Sequence, residues 1–190
     1  MARPRDGFSA MNKRIMLVLF VLKEDAMKIE KRELHHGNSY AVFHVPVRDK
    51  TVYMKKRLYK SDEDDSFVVW VDRFRFESVW FKGGSSIVPE LARGNEKAWR
   101  NDYKFTDAEN GFSKGIENPV PLACMQANNN FPRVGFVNGI TRTIWLMANG
   151  AKYFPVFAYD KKTADNLHRY IGVKGSSVFS NNDLITALDE

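Results

Sequence analysis

The sequence predicts an α+β fold, a mixed sheet with flanking helices, and three observations predict it. Hydrophobic residues make up 44% of the 190 residues and aromatics 13%, enough for a core and too many for wholesale disorder. Runs rich in β-branched and aromatic residues are interspersed with helical patterns. Between Pro132 and Asp160 a strand, a turn, an apolar helix and another strand follow one another directly.

In chain order, "IMLVLFVL" (Ile15 to Leu22) reads as a buried strand. Its eight residues fall short of the roughly 20 that span a bilayer, so no membrane span is expected. No small-residue cleavage site follows, so it is not read as a secretory signal. "SYAVFHVPV" (Ser39 to Val47) and "TVYMKKRLY" (Thr51 to Tyr59) flank a short turn and read as a β-hairpin. "SDEDD" (Ser61 to Asp65) is an acidic loop, and "FVVWVDRF" (Phe67 to Phe74) a buried strand. Gly83, Gly84 and Pro89 make Phe81 to Leu91 a loop. Asn95 is a plausible N-cap for a short helix, whereas Ala108 to Pro121 reads as irregular. "VPLACMQAN" (Val120 to Asn128) and "RVGFVNG" (Arg133 to Gly139) read as strands. Thr141 to Asn149 is a helix stopped by Gly150; "FPVFAY" (Phe154 to Tyr159) is a strand, and Thr163 to Tyr170 a helix. Such a strand, helix and strand favour a right-handed crossover. The chain divides into an N-terminal β extension (1–66) and a core (67–190) that pack together.

Lys and Arg number 29 against 23 Asp and Glu, a net charge of +6. That balance favours polyanionic partners, nucleic acid first. The basic run Tyr53 to Lys60 predicts sequence-independent DNA binding that weakens with salt. Cys124 is the only cysteine, which excludes an intrachain disulfide and a cysteine-based zinc site and fits a reducing cytoplasm. His35 and His36 are adjacent and point to different faces, and His44 and His168 are scattered, so no histidine metal pattern emerges.

The chemistry concentrates in "NGITRT". Gly139 permits close backbone approach. Thr141 and Thr143 can cap or donate, and Arg142 can clasp a phosphate through its planar fork, with Asn138 beside it. A helix N-terminus there would add its amides to an anion site. The same residues also describe an ordinary helix start with a surface arginine. If they hold a nucleotide phosphate, Arg142→Ala is expected to leave the fold intact, since an arginine at a helix start is rarely core, and to weaken ATP or CTP binding. "KGGSS" (Lys82 to Ser86) offers a cation and two hydroxyls without Walker A spacing, so it is a second phosphate contributor or a flexible loop. Asp72 and Glu77 are the best-placed acids to hold Mg²⁺ or another divalent cation and serve hydrolysis; Glu90 and Glu96 come next. They could instead pair with Arg73 or Arg75.

"GFVNGITRTIWLMANGAKYFPVFAY" resembles the strand, Gly-x-x-Arg turn, helix and Pro-Val strand of the ParB/sulfiredoxin fold, with "LHRYIG" and "FVVWVDRFRFESVWFKG" resembling its following helix and early strand. Within that fold the chain looks most like the plasmid fertility inhibition factors. Ile140 stands where sulfiredoxins place their catalytic cysteine, which excludes their chemistry. About 20 residues follow Tyr170, too few for the helix-turn-helix domain of partition proteins. The resemblance implies suppression of conjugative or T-DNA transfer in the cytoplasm, or peripherally at the inner membrane through the secretion apparatus. One implied route is that of an ATPase and metal-dependent DNase. It binds ATP or another NTP at Asn138, Gly139, Thr141, Arg142, Thr143 and Lys82, with Arg142, Asp72 and Glu77 catalytic. The other is a binding module that blocks the type IV secretion coupling protein or the relaxosome without chemistry.

Overall fold

In a computed structural model the protein is described over residues 27–34, 37–59, 66–83 and 88–189. The predicted strand Ile15 to Leu22 and the acidic loop Ser61 to Asp65 lie outside the described residues. Two mixed sheets with flanking helices form an α+β fold.

Strands β1 (Ile29–Leu34), β2 (Asn38–Pro46) and β3 (Thr51–Arg57) form an antiparallel meander. The predicted hairpin is β2–β3, with Pro46 opposite Thr51. Alternation sets its faces: Val52 and Met54 are buried, whereas Thr51 and Arg57 are exposed. A short strand from much later in the chain, β5 (Val120–Pro121), pairs parallel with β3 and completes the first sheet.

The second sheet has the order β7-β6-β8-β4-β9. Its members are β4 (Phe67–Asp72), β6 (Ala123–Ala127), β7 (Val134–Asn138), β8 (Tyr153–Ala158) and β9 (Val178–Ser180). Val68 to Val71 are buried on both faces, which explains the continuous apolar run of β4. Phe43 of β2 meets Trp70 of β4 edge-on at 5.8 Å between centroids, and one hydrophobic cluster runs through both sheets.

Several elements differ from the sequence reading. The strand ends at Asp72, and helix α1 (Arg73–Gly83) begins at once, because the Asp72 carboxylate accepts the Arg75 backbone N–H at 3.0 Å. Phe76 and Trp80, one turn apart, are the buried face of α1. Short helices α2 (Pro89–Ala92) and α3 (Glu96–Arg100) follow, the latter capped by Asn95 as predicted. Helix α4 (Phe105–Phe112), which buries Phe105, Ala108 and Phe112, runs into the stretch expected to be irregular. Helix α5 (Ile140–Ala148) follows β7, and Phe112 stacks on its Trp145 at 4.4 Å. Helices α6 (Lys161–Ile171) and α7 (Asn181–Leu188) complete the chain. The strands either side of α5 are not a parallel pair. β7 is antiparallel and β8 parallel to β6, which lies between them, so the parallel neighbours are β6 and β8.

Candidate functional site

The α5 turn is built around a close approach. Gly139 has φ +98°, and a Cβ there would lie 2.7 Å from the Ala123 Cβ and 2.8 Å from its Cα. Glycine is required for left-handed backbone and for contact with β6. The turn's polar groups then serve the fold. One Arg142 Nη donates to the Pro121 carbonyl at 2.7 Å and the Leu122 carbonyl at 3.1 Å, and the other reaches the Asn138 Oδ1 at 3.4 Å. Burial lowers the Arg142 pKa from the ordinary guanidinium value. Thr143 is buried and its hydroxyl donates to the Gly139 carbonyl at 3.1 Å. Arg142 therefore ties the β5–β6 junction to α5, so Arg142→Ala is expected to cost stability. Among the described residues the Thr141 hydroxyl has no side-chain partner. With the first-turn amides, which a helix leaves without intrahelical acceptors, it is the donor capacity that remains here.

Lys82 is not at this turn. The Arg133 Nε donates to the Gly83 carbonyl at 2.6 Å, which fixes the end of α1 beside the start of β7. Gly139 lies at the other end of that strand, about 20 Å along it at the usual rise per residue. Of its "KGGSS" neighbours, residues 84–87 lie outside the described residues.

Asp72 and Glu77 each have a partner within the fold. Asp72 caps α1, while the Glu77 Oε1 accepts from the Arg73 Nε at 2.7 Å, an i,i+4 ion pair. β8 separates β4, which ends at Asp72, from β6 and the α5 turn. A magnesium ion needs several hard oxygen ligands in near-octahedral array. No group of three or more His, Cys, Asp or Glu among the described residues could hold a metal ion. As arranged here the two acids do not supply the donor set of a divalent cation, and each has a structural partner. Glu96 is likewise engaged by Arg48 at 2.9 Å and Arg100 at 3.0 Å, whose hydrogen bonds lower its pKa.

A second location has the opposite character. At the end of β3 the chain opens a depression of about 280 Å³ lined by Lys55, Lys56, Arg57, Tyr59, Phe157 and Tyr159, together with Ser66 and the Pro121–Leu122 segment. Three cations and three aromatics line it, and none of its described lining residues is acidic. The Arg57 guanidinium lies 5.0 Å and the Lys56 ammonium 5.4 Å from the Tyr59 ring. Lys55 sits deeper, 3.3 Å from the Asn118 Oδ1 and 5.2 Å from the Tyr40 ring, and burial lowers its pKa. The basic run in Tyr53 to Lys60 pointed to β3. Phe157 and Tyr159 were read only as the end of a strand, because nothing local says that β8 ends beside β3. Pro121 and Leu122 connect the two places: they line the depression and their carbonyls hold Arg142.

The plasmid fertility inhibition factor family matches residues 68–172, more than half of the chain. The chain belongs to that family. It is 31% identical over 110 residues to the protein osa of Shigella flexneri, covering 56% of this chain and 57% of that protein, so the matched region spans little over half of the relative's length. The fold matches the crystal structure of an oncogenic suppression activity protein, a plasmid fertility inhibition factor solved as a gold(I) cyanide derivative. The TM-score is 0.66 at 22% identity, with 94% of this chain and 93% of that one covered. The family match begins in β4 and ends after α6, so it contains the α5 turn and Tyr159 and leaves out β3.

Proposed function

We propose that the protein suppresses conjugative DNA transfer, T-DNA included, by binding the phosphates of nucleic acid through the cationic depression at the end of β3. The observation that carries this reading is that Lys55, Lys56 and Arg57 line one depression with the exposed rings of Tyr59 and Tyr159, with no acid among its described lining residues. Membership of the fertility inhibition family supplies the context in which that DNA is transferred DNA, close to a type IV coupling protein or relaxosome. Anisotropy titration of labelled DNA tests it. Affinity should fall steeply with salt, as counterion release requires. Salt-insensitive binding, or none at low ionic strength, contradicts it.

A second reading adds chemistry: a nucleoside triphosphate held at the α5 turn and hydrolysed, coupled to DNA cleavage. The Thr141 hydroxyl and the first-turn amides of α5 favour it, because they are donors left at a turn that resembles a phosphate-binding one. It keeps Thr141 and Arg142 as phosphate-holding groups and gives up Asp72, Glu77 and Lys82. Purified protein that releases phosphate from ATP and nicks DNA supports it. Transfer inhibition by protein devoid of both activities leaves the binding module as the mechanism.

A further inference from the structure

Phosphate binding alone makes no use of one feature of the depression, an exposed aromatic ring braced edge-on by a neighbouring ring. Tyr159 is 64% exposed although it directly follows β8. Phe157 meets it at 5.4 Å between centroids and 88° between planes. Its side chain lies beside the thiol of Cys124, buried on β6, whose pKa burial raises and Tyr159 lowers to a smaller extent. An exposed tyrosine would ordinarily pay rotamer entropy on binding; fixing it beforehand removes that cost. The cations stand nearby, with Arg57 and Lys56 against Tyr59 on the same depression.

We infer that this depression is a single-strand site, in which an unpaired base stacks on Tyr159 and the adjoining phosphates meet Arg57 and Lys56. The inference rests on the DNA-binding reading above and deepens it. In a duplex each base face is already covered by its neighbours, so a fixed flat ring gains nothing from it, whereas an unpaired base offers a π-face whatever its identity. An acidic peptide would satisfy the cations but leave the ring unused. The cavity, about 280 Å³, admits a single base rather than a helical groove.

The test compares binding of a labelled oligothymidylate with that of a duplex of equal length, by anisotropy at fixed salt. Wild-type protein should prefer the single strand by about tenfold, the scale of one stacked base. Tyr159→Leu should lose about tenfold on the single strand and change duplex affinity little. Tyr159→Trp keeps the stacking surface and supplies a second readout: affinity is retained and its emission is quenched by oligothymidylate. Trp70, Trp80, Trp99 and Trp145 are all buried, so the wild-type signal provides the baseline. Equal affinity for both forms, an unaffected Tyr159→Leu protein or an unquenched Tyr159→Trp overturns the single-strand site while DNA binding stands. Failure to bind either form overturns both.

Discussion

The α5 turn and the β3 depression share the Pro121–Leu122 segment and use their polar groups in opposite ways. At the turn, Arg142 and Thr143 point inwards to backbone carbonyls, and Gly139 is glycine because Ala123 presses against it. At the depression, cations and rings face outwards around a cavity. The turn carries the sharper sequence motif, yet its geometry is accounted for by the fold. The depression carries no motif; Lys55 and Arg57 donate to the Asn118 and Asn38 side chains, yet no carboxylate among its described lining residues balances the three cations. A recognisable pattern marks a position where few residues fit, and the constraint can come from packing as easily as from a ligand.

The largest effect should come from Gly139→Ala. Left-handed backbone and a Cβ within 2.8 Å of Ala123 together should cost about 3–4 kcal/mol, read as a lowered urea midpoint. A change below about 1 kcal/mol would show that the turn yields easily and would weaken its description as scaffold.

Arg142→Ala should follow at about 2–3 kcal/mol, because two carbonyls lose charged donors in a partly buried place. DNA affinity of the folded fraction should be nearly unchanged. Unaltered stability with abolished nucleotide binding would reverse the comparison and make the turn the working site.

Lys55→Met sharpens the contrast from the other side. Burial lowers the folded pKa of Lys55, so the unfolded chain binds its proton more readily. Stability should therefore rise as pH climbs from below the folded value towards the unfolded one near 10.5. Removing the amine should abolish that alkaline gain, with a total effect within about 1 kcal/mol. A steeper alkaline gain in the variant would contradict the sign. Glu77→Gln should do least, below about 1 kcal/mol, since it loosens one partly exposed ion pair. A large loss of metal-dependent activity in that variant would restore Glu77 as a ligand.

The sequence made the local elements legible where periodicity and punctuation agreed: the β2–β3 hairpin, the Asn95 cap, α5 with its Gly150 stop, β8 and α6. It misled at Asp72, where an apolar strand runs straight into a helix and the aromatic residues Phe74 and Phe76 continue the strand composition. Phe105, Ala108 and Phe112 had helical spacing, but Asn110-Gly111 reads as a turn when taken alone. The capping box of Ser180 and Asp183 is a local signal in the sequence for α7. The depression was half legible. Its cations are contiguous on β3, whereas Pro121 and Tyr159 arrive through the β3–β5 and β6–β8 pairings, which depend on contacts far apart in the chain.

The central claim is that nucleic acid is held at β3 and not at the α5 turn. Its most direct test is the salt dependence of DNA binding by a Lys56→Glu, Arg57→Glu double variant with wild-type thermal stability. The account predicts at least about tenfold weaker binding at low salt and a slope of log affinity against log salt shallower by about 1.5, two phosphate contacts having been removed. Wild-type affinity and slope in that variant would contradict it.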